Sequence, residues 1–271
     1  MFDSGVGGLT VLHECLVSLP EEDFVYLGDT AWFPYGVKDT GELRARVAAV
    51  AELLLSGPGG AKLLVIACNT ATSIGEDVAR SVAAEHGVEV VPVVAPQAEI
   101  AAAITDSARV GVLATPNTVG SGAYRRALEA QGRALEVTEV EAPDLAPFIQ
   151  DGSPFDDGVL EMARAYCAPL KRADEDTLIL GCTHYPLVAP MLQRILGRDV
   201  RLVSGGHAVA AAVQRTLVSA GLDRRTGEEG MYRFLCTGEA ESFRELGTRF
   251  LQMPLGEVER IEVPGPETPY P

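Results

Sequence analysis

Two stretches of this chain share one shape, and that shape limits its folds more than any other feature. Residues 63–72 read L-L-V-I-A-C-N-T-A-T, and residues 177–186 read T-L-I-L-G-C-T-H-Y-P. Each is a short apolar run, then a small residue, then a cysteine followed closely by a threonine: Cys68 with Thr70, and Cys182 with Thr183. Short runs of Val, Ile and Leu with no polar alternation read as strands buried on both faces of a parallel sheet. Each cysteine is therefore expected just past the carboxyl end of a strand, where open α/β sheets bind their ligands. Two such units predict two similar half-domains, each offering a thiol to one cleft.

The rest of the chain alternates in the same way, which predicts an α/β fold with mostly parallel sheets. Strands are expected at the end of 1–3 and over 24–27, 63–66, 88–94, 110–114, 135–140, 177–181, 200–203 and 234–236, with an edge strand over 258–263. Helices are expected over 9–18, after Asp39 and Glu42 (a capping-box pair), over about 74–86, and over 97–105, 124–131, 207–219 and 241–251. Two more should flank a break at 151–154, and one should end near Gly197. The helix after Asp39 carries Leu43, Val47, Val50 and Leu54 on one face. Pro58-Gly-Gly60 should break it. The strand over 110–114 runs into Thr115-Pro-Asn-Thr118, and the chain ends in a Pro-rich tail.

The composition is globular: 47% of residues are hydrophobic and the mean hydropathy is +0.13. At 271 residues the chain can bury one large or two medium cores. A formal charge of −16 argues against an electrostatic surface for nucleic acid or anionic membrane. No apolar run reaches bilayer length and no signal peptide is visible. Five widely spread cysteines are not a disulfide framework and suggest a reducing cytoplasm.

Cys68 and Cys182 are the residues best set for chemistry. A thiolate at a helix start or beside a proton acceptor can serve as nucleophile or base. His184, two residues after Cys182, could hold or relay a proton. The plainer reading is that each cysteine is a small buried hydrophobe. That reading is kept for Cys15, Cys167 and Cys236, whereas the repeated context argues against it for Cys68 and Cys182. Cys68, Cys182 and His184 could in principle hold zinc, but no metal-ligand spacing supports a metal site. D-S-G-V-G-G at 3–8 could cradle an anion with the amides of Gly5, Gly7 and Gly8. It lacks the Lys-Ser/Thr of a P-loop. Asp3, at a strand end, would face the same cleft. Asn69, Thr70 and Thr183 could donate to a carboxylate or cap the helices that follow. Pro34-Tyr35-Gly36, read alone, is a turn with a packed tyrosine.

F-D-S-G-V-G-G-L-T-V (2–11), G-D-T…P-Y-G (28–36), A-C-N-T-A (67–71) and G-C-T-H-Y-P-L (181–187) resemble the glutamate racemase family. T-G-E-A-E-S-F (237–243) is similar to that family's C-terminal part, so the resemblance runs along the whole chain. It implies two pseudo-symmetric α/β domains, 1–92 plus 206–271 and 93–205, with the active site between them. It implies a racemase needing no cofactor and no metal. Cys68 would take the α-proton of D-glutamate and Cys182 that of L-glutamate. Asp3 would assist Cys68, and His184 would assist Cys182. Asp3, Ser4, Pro34, Tyr35, Gly36, Asn69, Thr70 and Thr183 would bind substrate alongside the thiols and His184. It further implies a cytoplasmic homodimer supplying D-glutamate for peptidoglycan, cell-wall biogenesis and cell shape, with glutamate as its small-molecule partner.

The chain departs from the family pattern in four places. Only three residues precede the first turn, which leaves little strand to support Asp3. No long N-terminal extension is present, so activation by a cell-wall precursor is not expected. Gln150 or Asp151 replaces a glutamate. Ser204-Gly-Gly-His207 stands where the family more often has Asp-Ser-Ala, and His207 is expected to face solvent. Three other functions remain open on the residues: aspartate as substrate, a cysteine hydrolase using Cys182 and His184, and a non-catalytic binding protein.

Overall fold

The computed structural model describes residues 1–57, 60–151 and 157–264. The expected breaks at Pro58-Gly59 and 152–154, and the Pro-rich tail from 265, lie outside the described residues.

The strands are β1 (Phe2–Asp3), β2 (Phe24–Gly28), β3 (Leu63–Ile66), β4 (Glu89–Pro92), β5 (Arg109–Ala114), β6 (Glu136–Glu141), β7 (Thr177–Gly181), β8 (Arg201–Val203), β9 (Tyr232–Cys236) and β10 (Val258–Arg260). They form two sheets, ordered β10-β9-β2-β1-β3-β4 and β6-β5-β7-β8. Among the described residues every strand pairing is parallel. The order β2-β1-β3-β4 in the first sheet repeats as β6-β5-β7-β8 in the second. The repeated cysteine unit of the sequence is thus a repeat of topology: β3 and β7 are the third strands of matching quartets. In each sheet the order reverses beside the strand that carries the cysteine, which opens a crevice at its carboxyl end. The α/β class with two similar parallel sheets is as the sequence predicts.

The helices are α1 (Leu9–Ser18), α2 (Thr40–Leu55), α3 (Asn69–Glu85), α4 (Val94–Ile104), α5 (Pro116–Ser121), α6 (Ala123–Glu129), α7 (Leu145–Gln150), α8 (Asp157–Ala173), α9 (Ala189–Leu196), α10 (Gly205–Ala220) and α11 (Ala240–Leu251). Several boundaries differ from the sequence expectation, each for a local reason. Helix α3 starts at Asn69 rather than near 74, because the Cys68 thiol caps it by accepting from Ala71 N at 3.4 Å. The strand expected over 88–94 stops at Pro92, and α4 begins at Val94. Thr115 follows the end of β5 and Pro116 occupies the first turn of α5, where its missing N–H is no loss. Gly122 then ends α5 at φ 65, a left-handed position that suits glycine. In α2 the buried face runs through Leu43, Val47, Val50 and Leu55, with Leu54 half-buried. The strand expected over 258–263 is β10, a three-residue edge strand on β9. Asp39 caps α2 by accepting from Gly41 N and Glu42 N.

The short β1 is held from both sides. Phe2 and Asp3 pair with Leu27 and Gly28, and Phe2 also pairs with Ile66. The amino group of Met1 donates to Val25 O at 2.8 Å. All five cysteines are buried and free, including Cys15, Cys167 and Cys236. Among the described residues no helix is long and apolar enough to cross a membrane.

Candidate active site

The ends of β1, β3 and β7 converge on one closed cavity. It is lined by Ser4, Phe33, Pro34, Tyr35, Gly36, Cys68, Asn69, Thr70, Thr115, Ala146, Cys182, Thr183 and His184. Its volume is about 20 Å³, room for roughly one water molecule. A wider groove lies between α8 and α9, but it contains none of the residues singled out in the sequence. Ten of those eleven line the small cavity. The exception is Asp3, which is fully buried behind it.

The glycine-rich turn after β1 serves a carboxylate of its own. Gly5 N and Gly8 N donate to Asp3 Oδ2 at 3.2 and 3.0 Å. The anion cradle expected for a ligand is therefore occupied by Asp3. Burial raises the Asp3 pKa, while the Gly8 and Gly5 amides and a hydrogen bond from Cys68 pull it down. The Cys68 thiol is pushed well up, first by burial and then by the Asp3 charge. Hydrogen bonds from Ala71 N and from Ser4 act in the opposite direction. Cys68 thus lies at a helix N-terminus with a carboxylate as its neighbour.

The second thiol has a different neighbour. Cys182 Sγ lies 3.7 Å from His184 Nδ1, and the far nitrogen of that ring, Nε2, lies 2.9 Å from Gln150 Oε1. Burial pushes the Cys182 thiol up to about 12 and the His184 imidazole down to about 3, so the ring is neutral near pH 7. Phe33 and Phe250 pack on that ring, with centroids 5.4 and 5.2 Å away. Gly7 admits it: a Cβ on Gly7 would lie 2.5 Å from His184 Nδ1 and would strike Thr183 Oγ1. Gly7→Ala is therefore expected to displace His184. Crowding of this kind costs about 1–3 kcal/mol. The expected result is a lower melting temperature together with at least a ten-fold loss of kcat/KM. A variant matching wild type in both would show that the ring has room to spare.

Polar residues from both sheets meet around the cavity. Asn69 Nδ2 donates to Gln97 Oε1 at 2.8 Å and to the Tyr124 hydroxyl at 2.6 Å. Gln97 Nε2 in turn donates to Leu180 O and Val203 O at the ends of β7 and β8. Thr70 Oγ1 lies 2.9 Å from Thr115 Oγ1. Tyr35 is buried as the sequence suggests, but its hydroxyl is held by Asp29 at 2.5 Å. Asn117 Nδ2 donates to Tyr35 O and Lys38 O, which ties the 35–38 turn to the second sheet.

Four residues around the site were not singled out as site candidates: Phe33, Thr115, Ala146 and Tyr124. Thr115 was legible as the residue after a strand end; the other three carry no local signal. Of the two replacements considered, Gln150 is the one bonded to His184. His207 is 79% exposed at its side chain and lies 2.6 Å from Glu14, away from the cavity. Among the described residues no group of three or more His, Cys, Asp and Glu side chains is arranged to hold a metal ion.

The same architecture recurs in proteins of known activity. The family model for Asp/Glu/Hydantoin racemases matches residues 11–213. Glutamate racemase of Acidothermus cellulolyticus is 41% identical over 259 residues, covering 95% of this chain and 96% of that protein. Glutamate racemase of Mycobacterium leprae is 42% identical over 252 residues, covering 93% and 90%. A glutamate racemase isoform of Bacillus anthracis superposes with a TM-score of 0.91 at 32% identity, covering 97% of each chain. The Francisella tularensis glutamate racemase in complex with D-glutamate superposes with a TM-score of 0.89 at 30% identity, covering 97% and 96%. With matches of this extent in sequence and in fold, the chain belongs to the Asp/Glu/Hydantoin racemase family of isomerases.

Proposed function

We propose that this isomerase interconverts L- and D-glutamate without a cofactor, using Cys68 and Cys182 as a pair of acid and base groups. The observation that carries the reading is the placement of two buried thiols on one cavity, at matching ends of β3 and β7. Inverting a stereocentre by proton exchange needs a base on one face of Cα and an acid on the other. Cys68 removes the α-proton of D-glutamate while Cys182 delivers one, and the roles reverse for L-glutamate. Glutamate, rather than another acidic amino acid, follows from the relatives named above.

Both thiols carry their protons at neutral pH, because burial raises both pKa values. The substrate's ammonium group supplies the missing charge: a cation beside a thiol favours the thiolate. Asp3 accepts the proton of Cys68, and His184 that of Cys182. Asn69 has both N–H groups engaged, which leaves its Oδ1 to accept from the ammonium. Ser4, Thr70, Thr183 and the turn of Pro34, Tyr35 and Gly36 offer donors to the two carboxylates. Preorganised donors of this kind stabilise the charge that develops as Cα loses its proton. A cavity of about 20 Å³ admits an amino acid only if the two sheets move apart. Closure then excludes water and aligns the thiols with Cα.

The same reading takes 1–92 plus 206–271 and 93–205 as the two domains that part, and the enzyme as a cytoplasmic homodimer. Its product, D-glutamate, would supply peptidoglycan synthesis. The test is incubation with L-glutamate in D₂O, without added cofactor, following loss of Cα–H by NMR and of optical activity by circular dichroism. Both signals are expected to decay. Folded, reduced protein that exchanges neither enantiomer would overturn the proposal, and faster decay with aspartate would change the substrate. A covalent acyl-enzyme that needs Cys182 but not Cys68 would instead favour the hydrolase.

A further inference from the structure

Asn69 opens α3, next to Cys68, and lines the cavity with a side-chain amide that could in principle point either way. We propose that Gln97 is a positioning residue for the reaction: it turns the Asn69 amide so that its N–H groups face the protein and its Oδ1 faces the substrate's ammonium group. This rests on the racemase reading and deepens it. Both side chains are buried, Gln97 completely and Asn69 at 3% exposure.

The orientation is passed along from groups that cannot turn. Leu180 O and Val203 O, at the ends of β7 and β8, are backbone carbonyls, which only accept. They lie 3.1 and 3.3 Å from the Gln97 amide, so the atom facing them must be the nitrogen, Nε2. Gln97 Oε1 then faces Asn69 and Tyr124 and accepts from both, at 2.8 and 2.5 Å. Burial keeps the Tyr124 hydroxyl protonated, so it has a hydrogen to give. Asn69 must therefore present Nδ2, with one N–H to Gln97 and the other to the Tyr124 oxygen. Its Oδ1 is left over, and among the described residues nothing donates to it. Both donors and both lone pairs of the Gln97 amide are used, which leaves it no second way to sit.

The place of Gln97 suits a residue that must hold its neighbour while the site opens. The chain passes between the two sheets twice, after β4 and after β8. Both passages run beside Gln97. Its backbone N–H donates to Val93 O in the first, and its side chain holds Val203 O at the start of the second. A Cβ on Gly205 would meet Val93 Cγ2 at 2.7 Å and Gln97 Cδ at 3.7 Å, so the passages touch there. When two sheets part about such connections, groups beside the connections move least. The Asn69–Gln97 bond is thus placed to survive opening, and an amide already turned toward the ammonium has less freedom to lose on binding. Without Gln97 the preference reverses. The buried Tyr124 hydroxyl loses its acceptor, which is costly, and Asn69 Oδ1 is the acceptor within its reach. The amide then flips and turns its N–H groups toward the substrate's cation, which repels them.

The test uses Gln97→Met, which keeps the length of the side chain but neither donates nor accepts. Asn69 and Asn117 are the only asparagines of the chain, so ¹⁵N-asparagine labelling leaves two side-chain amides to follow by NMR. In wild type without substrate, both Asn69 amide protons are expected to exchange slowly with D₂O. In Gln97→Met they should exchange quickly, while Asn117, held by Tyr35 O and Lys38 O, stays unchanged as the internal control. Ligands should divide by charge. For glutamate, kcat/KM should fall about ten-fold or more, chiefly through KM, as expected for a lost hydrogen bond to a charged group. Inhibition by glutarate, which is glutamate without its ammonium group, should be unchanged. A merely structural role would weaken both ligands alike, and that outcome would overturn the proposal. So would fast exchange of the Asn69 amide in wild type, or slow exchange in Gln97→Met. Because exchange needs no turnover, the two readings fail separately. Asn69 protection that depends on Gln97, in a protein that racemises nothing, would remove the racemase reading, while racemisation with an unprotected Asn69 would remove Gln97. Should Gln97→Met not fold, Gln97→Met combined with Tyr124→Phe leaves no buried hydroxyl without an acceptor. Tyr124→Phe alone should then keep one slow Asn69 proton and the double variant none, and equal exchange in the two would overturn the proposal.

Discussion

Cys68→Ala and Cys182→Ala are each expected to abolish racemisation in both directions. The symmetry of that loss follows from thermodynamics. The enantiomers have equal free energy, so kcat/KM must be the same from either side for every variant. Removing either thiol takes the base from one direction and the acid from the other. Positioned acid–base groups contribute about 10²–10⁴-fold each, so residual kcat/KM should fall by at least that range. What survives should differ between the two variants. Cys68→Ala retains a base on one face only, and in D₂O it should wash out the α-proton of L-glutamate without inverting it. Cys182→Ala should do the same with D-glutamate alone. Either alanine variant racemising within ten-fold of wild type would sink the two-thiol mechanism. Exchange of both enantiomers by one variant would mean that the remaining thiol reaches both faces.

Much of this site is legible in the chain because strand ends and helix starts are local features. The two apolar runs end where they must, at Ile66 and Gly181, and the residues just beyond them line the cavity. The turn of Pro34, Tyr35 and Gly36 stood out less from its own residues than from its resemblance to a family. Partnerships across the cleft were not legible. Nothing near Asp3 announces that the glycine turn folds back on it, since a Gly-rich turn suits an external anion equally well. Gln150 lies at the end of a six-residue helix and meets His184 only because β1, α7 and β7 converge. Helix α3 starts earlier than its apolar pattern suggests because a thiol, not a usual capping side chain, closes its first turn.

The other partnership hidden from local reading is the one that carries the largest stability prediction. Asp29 is fully buried at the end of β2 and receives Arg46 Nε at 2.8 Å and Nη2 at 2.7 Å, a two-point pair. Thr237 Oγ1 donates to the same carboxylate at 2.7 Å and Tyr35 OH at 2.5 Å. Arg46 also donates to Val263 O, and its guanidinium lies 5.3 Å from the centre of the Trp32 ring. Two sequence motifs far apart, G-D-T and T-G-E-A-E, are thus parts of one buried knot. Arg46→Met keeps most of the side-chain volume but leaves Asp29 charged, buried and without its counter-ion. Breaking a buried pair from one side costs about 3–5 kcal/mol, which for a chain of this size lowers the melting temperature by roughly 10 °C. Asp29 also holds the Tyr35 hydroxyl, and Pro34, Tyr35 and Gly36 form one wall of the cavity. The surviving folded enzyme should therefore show a raised KM while Cys68 and Cys182 keep their places. Asp29→Asn combined with Arg46→Met removes both charges. It should recover part of the loss, because the penalty comes from the orphaned carboxylate and the two sites are in direct contact. A single variant melting within a degree of wild type, or a double variant less stable than the sum of its parts, would show that the pair does not hold this wall.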